Sequence, residues 1–195
     1  MYQFLPAPDY VGKEENWVYV DNVFSNDELK KIRSIGDKLG SKVAEVGRET
    51  IVDKKVRSSK VSWIGYDKKT EFIYRKLGDV VVRVNALHFG FNLTGFVEHF
   101  QYTSYGSNND HYEWHMDKGP NLVAPRKLSL VLMLSDPNEY EGGELEFLPG
   151  MNVTVADNKL GRIFLFPSWL LHRVTPVTKG IRKTLVVWVS GPKFA

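Results

Sequence analysis

The chain has 195 residues, 43% of them hydrophobic, enough for one substantial core with at most a small appendage. Its 26 basic and 23 acidic residues leave a formal charge of +3, too balanced to point to nucleic acid by itself. The absence of cysteine excludes disulfides, thiolate zinc fingers, Fe–S clusters and a cysteine nucleophile, so any metal must be held by His, Asp or Glu.

Met1 to Tyr10 lacks the basic start and apolar run of a signal peptide, and no stretch is long and apolar enough to span a bilayer, so a cytoplasmic protein with no membrane partner is expected. Trp17 to Val20 is strand-like. Ser25-Asn26-Asp27-Glu28 has the form of a capping box, and Leu29, Ile32, Ile35 and Leu39 then recur at helical spacing up to a stop at Gly40. Lys54, Lys55, Arg57 and Lys60 cluster in what reads as a solvated loop. A second helix is predicted from Lys69 to His88, with Ile73, Leu77, Val80, Val84 and Leu87 on one face and Gly90 at its end.

From Phe96 onward, short runs of Val, Leu, Phe, Tyr and Trp alternate with turn residues. Predicted strands are Gly95 to Ser104, Tyr112 to Met116, Lys127 to Leu134, Gly143 to Phe147, Arg162 to Pro167, Leu171 to Val174 and Arg182 to Ser190. So many short strands imply a sandwich, jelly roll or small barrel. Leu128, Leu130, Leu132 and Leu134 share one strand face that needs a cover, and the two N-terminal helices are available for it. In the last strand Arg182 shares a face with Thr184, Val186 and Trp188, so a guanidinium points where an apolar interior is expected and needs an anionic partner. One domain over residues 1–195 is expected, with N-terminal support over about 1–94 and the β core over about 95–192.

His115 and Asp117 lie two apart on a predicted strand, so an imidazole nitrogen and a carboxylate oxygen project to the same side. His172, in the strand-like Leu171-His172-Arg173-Val174, offers a third ligand. Two histidines and one carboxylate on one face of an octahedron leave adjacent positions open, the arrangement of non-haem Fe(II) oxygenases. Arg182 follows after Pro176 and Gly180, which permit a turn, and its fork suits a distal carboxylate. Each residue alone has an ordinary reading, as a hydrogen-bonded histidine or a turn-capping aspartate. His88 and His99 read as structural, and His111-Tyr112-Glu113-Trp114-His115 fits neither zinc-protease pattern.

Tyr105-Gly106, His115-x-Asp117, Glu141-Gly142-Gly143-Glu144-Leu145 and His172-x-Val174-x-Pro176-Val177 with Gly180-x-Arg182 together resemble the 2-oxoglutarate oxygenases of the prolyl hydroxylase type. The resemblance is specific over about residues 96 to 192, and Val56-Arg57-Ser58-Ser59-Lys60-Val61-Ser62-Trp63-Ile64 extends a looser likeness to the hypoxia-factor and bacterial or viral prolyl hydroxylases. It implies a mainly β fold, a double-stranded β-helix of jelly-roll, cupin-like form covered on one face by N-terminal helices. It also implies Fe(II) held by His115, Asp117 and His172, 2-oxoglutarate held by Arg182, O2 as oxidant and ascorbate as reductant. By the same likeness Tyr105 lies beside the co-substrate, Leu145 and Trp188 wall its pocket, Arg57 and Arg126 face the substrate, and a loop from about Gly47 to Lys60 closes over it. Where related enzymes carry a tyrosine on the co-substrate tail this strand has Met133, which calls for help from Ser129 or Thr184.

The implied activity is 4-hydroxylation of a prolyl residue in a protein or peptide. AlkB-like nucleic-acid demethylation shares the triad, but the paired R-x-N-x-x-x-R signature of those enzymes is missing after His172, so no nucleic-acid partner is expected. Hydroxylation of another amino-acid residue stays open, and a cupin-like metal-binding module is the non-enzymatic alternative.

Overall fold

The computed structural model describes residues 16–44 and 53–192. The expectations for Met1 to Tyr10, and for the part of the loop before Trp63 that falls within 45–52, lie outside them. The described chain begins with strand β1 (Val18–Val20) and helix α1 (Asn26–Lys38). The capping box forms: the Ser25 hydroxyl accepts from the Glu28 N–H, and the Glu28 carboxylate accepts from the Ser25 N–H.

Three short strands follow, β2 (Lys42–Val43), β3 (Arg57–Ser58) and β4 (Lys60–Ile64). The basic cluster is therefore not simply a solvated loop. Arg57 pairs across from Tyr112 and is buried, because β3 extends a sheet. Helix α2 (Glu71–Val84) buries Ile73, Leu77, Val80 and Val84 as its periodicity predicts. At Asn85 the helix widens into a π turn, Asn85–Phe89, which Gly90 closes. The wider turn carries Leu87 out of the 3.6-residue register, so it is 68% exposed instead of sharing the buried face.

The remaining strands are β5 (Phe100–Gly106), β6 (Asp110–His115), β7 (Arg126–Met133), β8 (Tyr140–Gly142), β9 (Leu145–Leu148), β10 (Thr154–Val155), β11 (Ile163–Pro167) and β12 (Leu171–Ser190). One sheet runs β1-β11-β7-β12-β5-β4-β2. The other joins β3, β6, β8, β9 and β10 around the first half of β12. The two sheets form the double-stranded β-helix that the sequence implied. Leu128, Leu130, Leu132 and Leu134 face Ile32, Ile73 and Leu77 of the helices, each leucine contributing roughly 1.5–3 kcal/mol by burial. Val131 and Met133 on the opposite face meet Leu145 and Phe147 from the second sheet.

The predicted strands Leu171 to Val174 and Arg182 to Ser190, with a turn between them, are a single strand of 20 residues. Its pairing slips between Val174 and Val177, where Pro176 costs no ladder hydrogen bond, and Gly180 at φ 71° lets the strand bend into the other sheet. A Cβ at Gly180 would stand 2.0 Å from the Glu139 carbonyl oxygen. Gly180→Ala should therefore destabilise the fold by about 2 kcal/mol or more, read as a lower denaturant midpoint with an unchanged slope. An unchanged midpoint would show that the bend is not fixed at this residue.

Candidate metal centre

The register of β6 and β12 sets His115 and His172 directly opposite each other, with ring centroids 4.2 Å apart. Asp117, two residues past His115, brings Oδ1 to 3.8 Å from His115 Nε2 and Oδ2 to 3.7 Å from His172 Nε2. One ligand atom from each residue lies within 4.8 Å of the others. Both histidines use the second ring nitrogen on the backbone: His115 Nδ1 is 2.7 Å from the Glu113 carbonyl oxygen and His172 Nδ1 is 2.9 Å from that of Leu170. A carbonyl only accepts, so each Nδ1 donates, and both Nε2 atoms are turned toward Asp117 as the ligand positions.

The surroundings keep His115 and Asp117 in the protonation states a metal needs. Burial, with the neighbouring His172, pushes His115 down to about 3, so it stays neutral. Burial alone raises the Asp117 carboxyl, but the two imidazoles, the Ser129 hydroxyl and Arg126 outweigh it and hold the group below its usual range. Ser129 Oγ donates to Asp117 Oδ2 at 2.7 Å and is itself bonded to Ser168 Oγ at 2.9 Å. Ser168 had no sequence signal, since it joins the site only through the end of β11.

Arg182 is 1% exposed, and burial pushes its guanidinium down from the ordinary arginine value. Among the described residues its Nη2 donates to the Met133 sulfur at 3.8 Å and its Nε makes no hydrogen bond, while Tyr105 and Tyr140 lie close enough to act on its charge. Tyr105 lies with its ring 5.4 Å from the guanidinium carbon, and Thr184 lines the same cavity. Ser129 is committed to Asp117, so of the two hydroxyls expected to help Arg182 only Thr184 remains available. Leu145 packs with Val131, Met133 and Phe147 in the core between the sheets rather than facing the cavity. The Glu141-Gly142-Gly143-Glu144 connection acts by its shape: a Cβ on Gly143, at φ 63°, would stand 2.9 Å from Arg182 Cδ. Sequence reading also missed Tyr140, whose ring borders the same glycine and whose buried hydroxyl is near enough to Arg182 to act on its charge.

The triad and Arg182 open into one cavity of about 680 Å³, also lined by Tyr105, Val131, Arg57, Arg126, Trp63 and Trp188. Arg126 is engaged: it pairs with Glu98, donates to the Asp117 backbone carbonyl and stacks 3.6 Å from the Trp188 ring. Arg57 donates to Ser59 Oγ and Gln101 Oε1, each at 2.9 Å, and lies 4.5 Å over the Tyr112 ring. His111 bonds the backbone carbonyls of Asn109 and Lys55, away from the triad's ligand atoms.

Residues 100–190 match the 2OG-Fe(II) oxygenase superfamily. The chain is similar to a PKHD-type hydroxylase of Teredinibacter turnerae, 39% identical over 89 residues that cover 43% of this chain and 39% of that protein. A PKHD-type hydroxylase of Nitrobacter winogradskyi is 28% identical over 184 residues, 88% of this chain and 76% of that protein. The chain thus spans well under half of the first relative and about three quarters of the second. Among solved structures, a prolyl hydroxylase from Trichoplax adhaerens, in complex with a hypoxia inducible factor peptide fragment, superposes with a TM-score of 0.75 at 17% identity, over 90% of this chain and 83% of that one. The facing histidines, the shared aspartate and the matched segment agree: over residues 100–190, a little under half of its length, this chain is similar to the 2OG-Fe(II) oxygenase superfamily.

Proposed function

We propose that residues 1–195 form one domain of an Fe(II)- and 2-oxoglutarate-dependent dioxygenase that hydroxylates a prolyl residue of a protein or peptide at the 4-position. The observation that carries the reading is the pairing of three convergent ligands with a buried, unpaired arginine in the same cavity. Two imidazoles and a carboxylate suit Fe(II), and a cation with no carboxylate partner among the described residues suits the tail carboxylate of 2-oxoglutarate. When bound, iron with 2-oxoglutarate and O2 supplies the oxidising power for an unactivated C–H bond.

The chain's own groups do the rest. His115, Asp117 and His172 hold the ion, Ser129 and Arg126 fix the aspartate, and Arg182 with Thr184 orients the co-substrate tail. Tyr105 lies beside the co-substrate, with Val131 and Trp188 as nearby walls. Arg57 faces the substrate chamber, whereas Arg126 serves it by holding Trp188 in place. The similarity to PKHD-type hydroxylases and to a prolyl hydroxylase fold supports the prolyl substrate. A cytoplasmic location, and ascorbate as the reductant that keeps iron ferrous, complete the reading; no described helix is long and apolar enough to cross a membrane.

Succinate release from 2-oxoglutarate with Fe(II) should fall at least about a hundredfold in His115→Ala and in His172→Ala, since changes beyond the ligands already cost 10–100-fold in such sites. Full turnover in either variant would end the oxygenase reading. Arg182→Ala should raise the 2-oxoglutarate requirement about a hundredfold while leaving Fe(II) affinity near that of the unaltered protein, and equal effects on both would contradict its assignment. Mass spectrometry of proline-containing peptides should show the gain of one oxygen on proline. Formaldehyde released from methylated oligonucleotides would instead favour the demethylase alternative.

A further inference from the structure

Three guanidinium groups line the cavity, and two are accounted for. Arg126 is neutralised by Glu98, and Arg182 faces the tail of the proposed co-substrate. Among the described residues Arg57 has no such match. It is 7% exposed, its Nε and Nη2 are held by the neutral oxygens of Ser59 and Gln101, and the Tyr112 ring supports it from one side. Among the described residues its Nη1 makes no hydrogen bond, and no carboxylate forms an ion pair with it. Neutral acceptors and a ring face fix the orientation of the group without cancelling its charge.

The proposed complex does not supply the missing anion either. Asp117 and the 2-oxoglutarate dianion together balance Fe(II) and Arg182, which leaves the charge on Arg57 over. A preorganised, buried guanidinium with a free donor edge in a substrate chamber is a recognition site for an anion that arrives with the substrate. Its walls favour an organic acid. Trp63, half exposed, stands 6.3 Å from Trp188, whose buried Nε1 makes no hydrogen bond among the described residues, so the same cavity offers apolar faces and an N–H.

We infer that Arg57 recognises a carboxylate of the substrate, so that the enzyme selects a target residue presented beside an acidic group. This deepens the proposed function and rests on it for the location of the chamber. The carboxylate has two sources, an acidic side chain next to the target residue or the terminal α-carboxylate of a short substrate.

The test uses the full chain loaded with Mn(II) and 2-oxoglutarate, so that binding is measured without turnover. Acetylated proline tripeptides are compared in pairs that differ only by a flanking Asp or Asn, or by a terminal carboxylate or amide. One acidic member should bind at least roughly tenfold more tightly than its neutral isostere, and the pair that shows the gap identifies the source. Arg57→Gln should bring the two members of that pair within about twofold, and Arg57→Lys should retain part of the gap. Equal binding within both pairs by the unaltered protein, no binding by any acidic peptide, or a gap that survives in Arg57→Gln would overturn the inference. Mass spectrometry of the same peptides with Fe(II) and O2 reads the prolyl assignment separately: an acidic peptide bound but not oxidised leaves the anion site standing and removes proline as the target.

Discussion

The antiparallel register that sets His172 against His115 is the constraint on which the site depends. It converts two residues far apart in the chain into neighbours at the distance one metal ion requires, and Asp117 follows because it leaves β6 on the same side. The strand that carries His172 continues, through the bend at Gly180, to place Arg182 in the other sheet. One continuous strand therefore measures the separation between the His115–Asp117–His172 cluster and Arg182. A rigid element gives such a spacing better precision than two strands joined by a mobile turn would.

Placing these polar groups in a β interior has a cost, and the structure offsets it locally. Each histidine donates its outer N–H to a backbone carbonyl, and Asp117 is held by Ser129 and Arg126. Among the described residues, two of the buried polar atoms left without a hydrogen bond, Arg182 Nε and Trp188 Nε1, belong to side chains that line the cavity, where a bound molecule would complete them. Stability comes from elsewhere, in the leucine face of β7 covered by the two helices and the aromatic layer of Phe147, Phe164 and Phe166 between the sheets.

Much of this was legible in the sequence because its physical signals are local or periodic. The capping box at Ser25, the leucine alternation from Leu128 to Leu134 and the inward face of Arg182, Thr184, Val186 and Trp188 each follow from spacing within one element. What escaped depends on geometry between elements. Pro176 and Gly180 carry the composition of a turn yet sit in a continuous strand, because an edge slip accommodates the proline and the glycine takes the bend. Arg57 belongs to a basic cluster in sequence, and only the pairing of β3 with β6 buries it. The hydroxyl of Ser129 serves the metal ligand rather than the arginine because Asp117 reaches it first, a choice that alternation along β7 does not reveal. Leu145 similarly shares the sign of a pocket residue but spends its surface on the core.

The central claim is that three convergent side chains create one ferrous site on which the co-substrate depends. Anaerobic titration with Fe(II), with and without 2-oxoglutarate, tests it most directly. The account predicts a single ion per chain and 2-oxoglutarate binding that is much tighter with the metal present than without it. Iron binding at no defined stoichiometry, or 2-oxoglutarate affinity indifferent to iron, would contradict it.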